Sequence, residues 1–156
     1  MQVEPDSQVD ALNAHEEAHL RRVSSDRGVR NLSIELVGLR GGQFGADGGA
    51  VAVSDLAGRE RAPSFAPDAP RYTVAFDRVV MWRVIDDAFE GQHEGTGTLE
   101  RAILTSTTIS RFLGMARAHT YAEIATGRQL LHYRINAVDA VVDVAAFEGP
   151  TVRREG

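Results

Sequence analysis

The chain contains no cysteine and no lysine, so all 17 of its basic residues are arginine. Without cysteine there is no thiolate nucleophile, disulfide, iron–sulfur ligation or cysteine zinc site. Without lysine there is no Schiff base and no phosphate loop of the GK[ST] kind. Any metal has to be held by His, Asp or Glu. No apolar run approaches the roughly 18 residues that cross a bilayer. The opening MQVEPDSQVD lacks the basic and apolar regions of a secretory signal, so a cytoplasmic location is expected. The arginines are scattered and the net charge is −5, which argues against nucleic acid or a membrane as partner. Exclusive use of arginine fits a GC-rich bacterial source.

What is present describes an ordinary folded chain. At 156 residues, 43% hydrophobic and 25% charged, it suits one domain with its own core. Residues 7–22 read as a helix, with Ser7 as cap, acidic residues at its start and Arg21 and Arg22 at its end. Its apolar stripe is thin, which places it on the periphery. NLSIELVGLR reads as a strand running into the glycine-rich GGQFGADGG, and AVAVSDL as a second strand. GRERAPSFAPDAPR, with three prolines, reads as a surface loop. RYTVAFDRVVMWRVIDD reads as one long bent strand or as a hairpin turning near Asp77 and Arg78. EGQHEGTGT is a further loop before a strand in LERAILTS.

At TTISRFLGMARAH the spacing becomes helical, with Ile109, Phe112, Leu113 and Ala116 on one face and Thr107 as the natural cap. LLHYRI and AVVDVAAF close the domain as two strands joined at NAVD. The expected architecture is α+β: a single domain with a mostly antiparallel, curved sheet of five or six strands, a helix near 107–118 packed on it, and a peripheral N-terminal helix. Boundaries are expected at 1–28 for the helical extension, 29–150 for the domain and 151–156 for a polar tail.

Two constellations could carry chemistry. The first is the terminal hairpin. A turn at Asn136–Asp139 sets Ile135, Tyr133 and Leu131 opposite Ala140, Val142 and Val144 on an apolar face. The other face then holds Arg134 opposite Val141 and His132 opposite Asp143. A histidine beside a carboxylate can serve acid–base work, with Arg134 available for an anion. No nucleophile in a GxSxG frame accompanies the pair, and a cross-strand charge pair is the simpler explanation. The second is His15-Glu16-Glu17-Ala18-His19, an HExxH pattern. On a helix His15 and His19 would share a face and grip zinc, with Glu16 as the base on its water. Glu17 is a charge where such buried helices carry uncharged residues, and no third ligand is identifiable.

Smaller features have ordinary explanations. GGQFGADGG lacks the strand-to-helix setting of a dinucleotide fingerprint. Thr105, Ser106, Thr107 and Thr108 beside Arg111 suit helix capping better than an anion site.

From residue 31 onward the order of pieces resembles a family of small, uncharacterised bacterial α+β proteins. The resembling residues are IELVGLR, YTVAFDRVVMWRV, Ser110, Phe112 and Leu113 with Thr120 and Tyr121, and the final HYRI followed by DAVVDV. The resemblance implies a fold and a bacterial origin and supplies no catalytic residue. Some small proteins of this appearance are immunity or accessory proteins encoded beside toxins. The expected function is therefore non-catalytic: a cytoplasmic module that binds another protein and needs no cofactor. Its acidic balance would suit a basic partner, and Trp82, Phe65 or Tyr72 could anchor the interface, with His132, Arg134 and Asp143 as further binding candidates. The alternative is a zinc-dependent hydrolase using the HEEAH segment.

Overall fold

The structure is a computed structural model that describes residues 7–26, 30–39, 68–86 and 102–156. Among these are three short helices, α1 Ser7–Asn13, α2 Arg111–His119 and α3 Ala122–Thr126. The strands are β1 Glu17–Asp26, β2 Asn31–Leu39, β3 Arg71–Phe76, β4 Met81–Asp86, β5 Leu104–Thr107, β6 Leu131–Asn136, β7 Ala140–Ala146 and β8 Thr151–Glu155. They form two four-stranded antiparallel sheets, ordered β1-β2-β3-β8 and β4-β7-β6-β5. The α+β class holds, but the single sheet of five or six strands is replaced by two.

Alternation explains the division. In β2 and β3 the residues Leu32, Ile34, Leu36, Tyr72, Val74 and Phe76 face inward and are buried. From the second sheet Tyr133, Ile135, Val142 and Val144 join the same core, and the rings of Phe76 and Tyr133 lie 5.3 Å apart across it. Two sheets, each with one apolar face, bury those faces against each other. The central strand β7 is buried along its whole length, because α2 covers its other face through Phe112, Leu113 and Ala116.

RYTVAFDRVVMWRVIDD is neither one strand nor a hairpin: β3 belongs to the first sheet and β4 to the second, and the chain crosses between them at 77–80 with Arg78 at φ 54°. The N-terminal helix ends at Asn13, not near residue 22, and the rest of the expected helix is β1, whose Ala18 is buried and which pairs with β2. Residues 151–156, expected as a tail, contain β8, which pairs with β3 and buries Val152. Helix α2 starts later than Thr107. Ser110 caps it, its Oγ accepting a hydrogen bond from the Leu113 amide at 3.0 Å, so Ile109 lies outside the helix and is 84% exposed. The expected strand in AVAVSDL, the two glycine-rich loops and Phe65 lie outside the described residues.

Candidate functional site

Asp143 of β7 is completely buried and stands directly opposite Arg83 of β4 on one side and Arg134 of β6 on the other. Three side chains donate to its carboxylate: Arg83 Nε at 2.8 Å, Arg134 Nε at 2.8 Å and His132 Nε2 at 2.7 Å. Desolvation, the largest single effect, pushes the Asp143 carboxyl upward. The hydrogen bonds from His132, Arg134 and Arg83 together outweigh it and hold the group well below the usual carboxylate range. Asp143 is therefore an anion, and His132 donates through Nε2–H.

The hairpin register differs from the expected one by two residues. Ile135 pairs with Val142, Arg134 with Asp143 and His132 with Ala145, because Ala137 donates to the Ala140 carbonyl and closes a tight turn over Val138 and Asp139. A shift of two preserves the faces. His132, Arg134 and Asp143 thus still share one face, with Arg134 and not His132 directly opposite the carboxylate. Arg83 was not foreseen as the third donor. Its signal was legible in the alternation of Trp82, Arg83 and Val84, but its partner strand lies about sixty residues away in sequence.

This arrangement is poor for acid–base catalysis. The remaining nitrogen of His132, Nδ1, is buried and has no hydrogen-bond partner among the described residues. The Phe112 ring packs 4.9 Å from the imidazole, and the Arg83 guanidinium lies 5.0 Å from the centre of the same Phe112 ring. A base whose free nitrogen is sealed under a helix cannot meet a substrate proton at the surface.

The HEEAH residues are not on a helix. His15 and Glu16 lie in the turn after α1, and Glu17 to His19 are already in β1, so the four-residue helical spacing that aims two imidazoles at one ion is not formed. His15 Nε2 lies 2.8 Å from the Tyr72 hydroxyl, and its ring rests on Gly38, where an added Cβ would meet ring atoms at 2.9 Å. His19 Nε2 lies 3.3 Å from Asp139 Oδ2. Glu16 is exposed. Among the described residues no three His, Asp or Glu side chains gather as a metal site. Tyr72, expected as a surface anchor, is buried in the core.

Asp139 shows how the fold treats its sheet edges. Its Oδ1 accepts from the Leu20 amide at 2.9 Å and the Val138 amide donates to the Ala18 carbonyl, so the tip of the β6–β7 hairpin covers the outer side of β1. The Asn13 side chain binds both the amide and the carbonyl of Leu104, covering the outer side of β5. The edge strand β8 carries Arg153, Arg154 and Glu155, charges that discourage pairing. Edge strand β4 differs from all three. Among the described residues nothing pairs with its outer side, and Trp82 and Val84 are 40% and 42% exposed there. A cleft of about 290 Å³ opens beside Trp82, lined by residues including Asp26, Arg30, Leu32 and Val79.

Comparison with protein-family models, with curated proteins and with solved structures returns no match. Among the described residues no helix is long and apolar enough to cross a membrane.

Proposed function

We propose that this chain is a non-catalytic protein-binding module whose docking edge is β4. The observation that carries the reading is the exposure of Trp82 and Val84 on a sheet edge that the described residues leave uncovered, a strand whose charges are Arg83 and Asp86. Exposed aromatic and aliphatic side chains beside free backbone donors and acceptors are what strand-addition recognition uses. The buried Asp143 cluster supports the reading indirectly, since it fastens β4, β7 and β6 together and makes the edge rigid before a partner arrives. The setting belongs to the same proposal: a bacterial cytoplasm, with neutralisation of a toxin as an immunity or accessory protein among the roles that fit. The net charge of −5 favours encounter with a basic protein.

The test is purification of the tagged 156-residue chain from its host in parallel with a Trp82→Thr variant shown by circular dichroism to be folded. A protein recovered in stoichiometric amount with the wild type and lost with Trp82→Thr is the expected result. Equal recovery with both would reject β4 as the docking edge.

A further inference from the structure

The cross-strand pairs of the second sheet run in a row from one edge to the other: Arg83 opposite Asp143, Asp143 opposite Arg134, Arg134 opposite Thr105. Along it the charges alternate, positive, negative, positive. Arg83 is the outermost member, on the edge strand, and its side chain is 39% exposed. It bonds Asp143 through Nε alone, sharing that carboxylate with Arg134 and His132. No described residue bonds its two terminal amino groups. Among the described residues the row ends at Arg83, so a residue placed outside it would face the guanidinium.

We propose that the outer side of β4 accepts an extended segment of a partner protein as a fifth strand, and that this segment carries an acidic residue between two apolar ones. The proposal rests on the reading of β4 as the docking edge and adds the chemistry of the occupant. Side chains on a strand alternate between faces, so the residue that faces Arg83 has neighbours that face Trp82 and Val84. An acid opposite Arg83 extends the alternating row, whereas a base would leave two like charges in contact. Apolar residues opposite Trp82 and Val84 remove both from water, and this requirement is the same for parallel and antiparallel entry. The residue facing Trp82 can be large, because the cleft opens beside it. The overall acidity of the chain does not oppose this. At physiological salt the screening length is about 8 Å, so contact at the edge is decided by Arg83 and its neighbours.

Trp82 is the only tryptophan of the chain, so its fluorescence reports occupancy of this edge directly. The probes are two capped ten-residue peptides of serine and threonine, one with a central Ile-Glu-Val and one with Ile-Lys-Val, titrated into the 156-residue chain. The expected result is a saturable blue shift with the glutamate peptide and binding weaker by roughly fivefold or more with the lysine peptide. Arg83→Gln is expected to abolish the difference. The wild-type comparison stands without that variant if it fails to fold. Equal binding of the two peptides, or binding of neither, overturns the acidic assignment, while the Trp82→Thr purification judges the docking edge separately. Two further outcomes overturn the inference by naming another occupant. One is a Trp82 shift that follows protein concentration alone with doubled mass in sedimentation, which assigns the edge to a second copy. The other is full protection of the 81–86 amides from hydrogen exchange in the free monomer, which assigns it to a segment of this chain.

Discussion

Replacing Asp143 by Asn leaves the shape of the β7 side chain almost unchanged and removes the charge on which three donors converge. The amide oxygen can still accept from His132 Nε2, whose hydrogen is buried and has to keep a partner. The new amide hydrogens then point toward guanidinium donors. Removing one member of a buried ionic cluster costs about 3–5 kcal/mol, because the remaining charge is left without compensation. Arg83, 39% exposed, can recover water, whereas Arg134, 19% exposed, recovers little, so the lower end of that range applies. The expected loss is about 3 kcal/mol. At roughly 2–4 °C per kcal/mol for a chain of this size, Tm should fall by about 6–12 °C. Urea unfolding followed by circular dichroism measures the free energy, and an unchanged slope in denaturant would show that the reference states have not moved. A variant within about 1 kcal/mol of wild type would refute the claim that Asp143 is a buried, ionised hub.

Acid should act through the same group. Asp143 has a folded pKa below its unfolded value near 3.9, so the stability it contributes is present above about pH 4 and is lost as the pH falls from there toward the folded pKa. A plot of unfolding free energy against pH should therefore decline below about pH 4, and more gently in Asp143→Asn. Gly38→Ala should cost about 1–3 kcal/mol by overpacking against the His15 ring, and a His15→Ala second change should recover much of it, as read from a double-mutant cycle. Ser110→Ala should cost about 1 kcal/mol through loss of the α2 cap, with thermal unfolding as the measurement.

The inward faces of β2, β3 and β6 were legible in the sequence, because alternation of period two is visible where one face is buried, whereas β1 read as helix and β8 as tail. Leu32, Ile34 and Leu36, or Tyr133 and Ile135, announce their face without any knowledge of what covers it. Two things were not legible. Sheet membership was hidden, since nothing local in RYTVAFDRVVMWRVIDD says that the second half leaves the layer of the first. The state of residues 14–22 was hidden as well: the Ala, Glu and His that suit a helix lie there, but Ala18, Leu20 and Val23 find their partners across the sheet in Gly38, Leu36 and Ile34. Tertiary pairing outweighed helix propensity, whose differences are only tenths of a kcal/mol per residue. The HEEAH pattern lost its meaning with the helix. The site was half legible: His132, Arg134 and Asp143 were expected on one face, and the burial of Asp143 was not.

That burial addresses a problem that hydrophobic patterning leaves open. The expected and observed registers of the β6–β7 hairpin differ by two residues, and both place Tyr133, Ile135, Val142 and Val144 on the core face, so apolar burial alone separates them poorly. What separates them is polar. In the observed register Arg134 stands directly across from Asp143 and reaches both carboxylate oxygens, at 2.8 and 3.3 Å, whereas in the slipped one it would face Val141 and meet Asp143 only along a diagonal of roughly 7–8 Å between backbones. The tip adds a second discriminator, because the tight turn at Val138 and Asp139 presents the Asp139 carboxylate to the Leu20 amide on the other sheet. A buried carboxylate surrounded by donors contributes little net stability beyond an apolar residue of the same size, but it penalises every pairing that strands it. The polar residues within this apolar ribbon are therefore best understood as a register lock. The same lock leaves Arg83 at the outer end of a charge row fixed on β4.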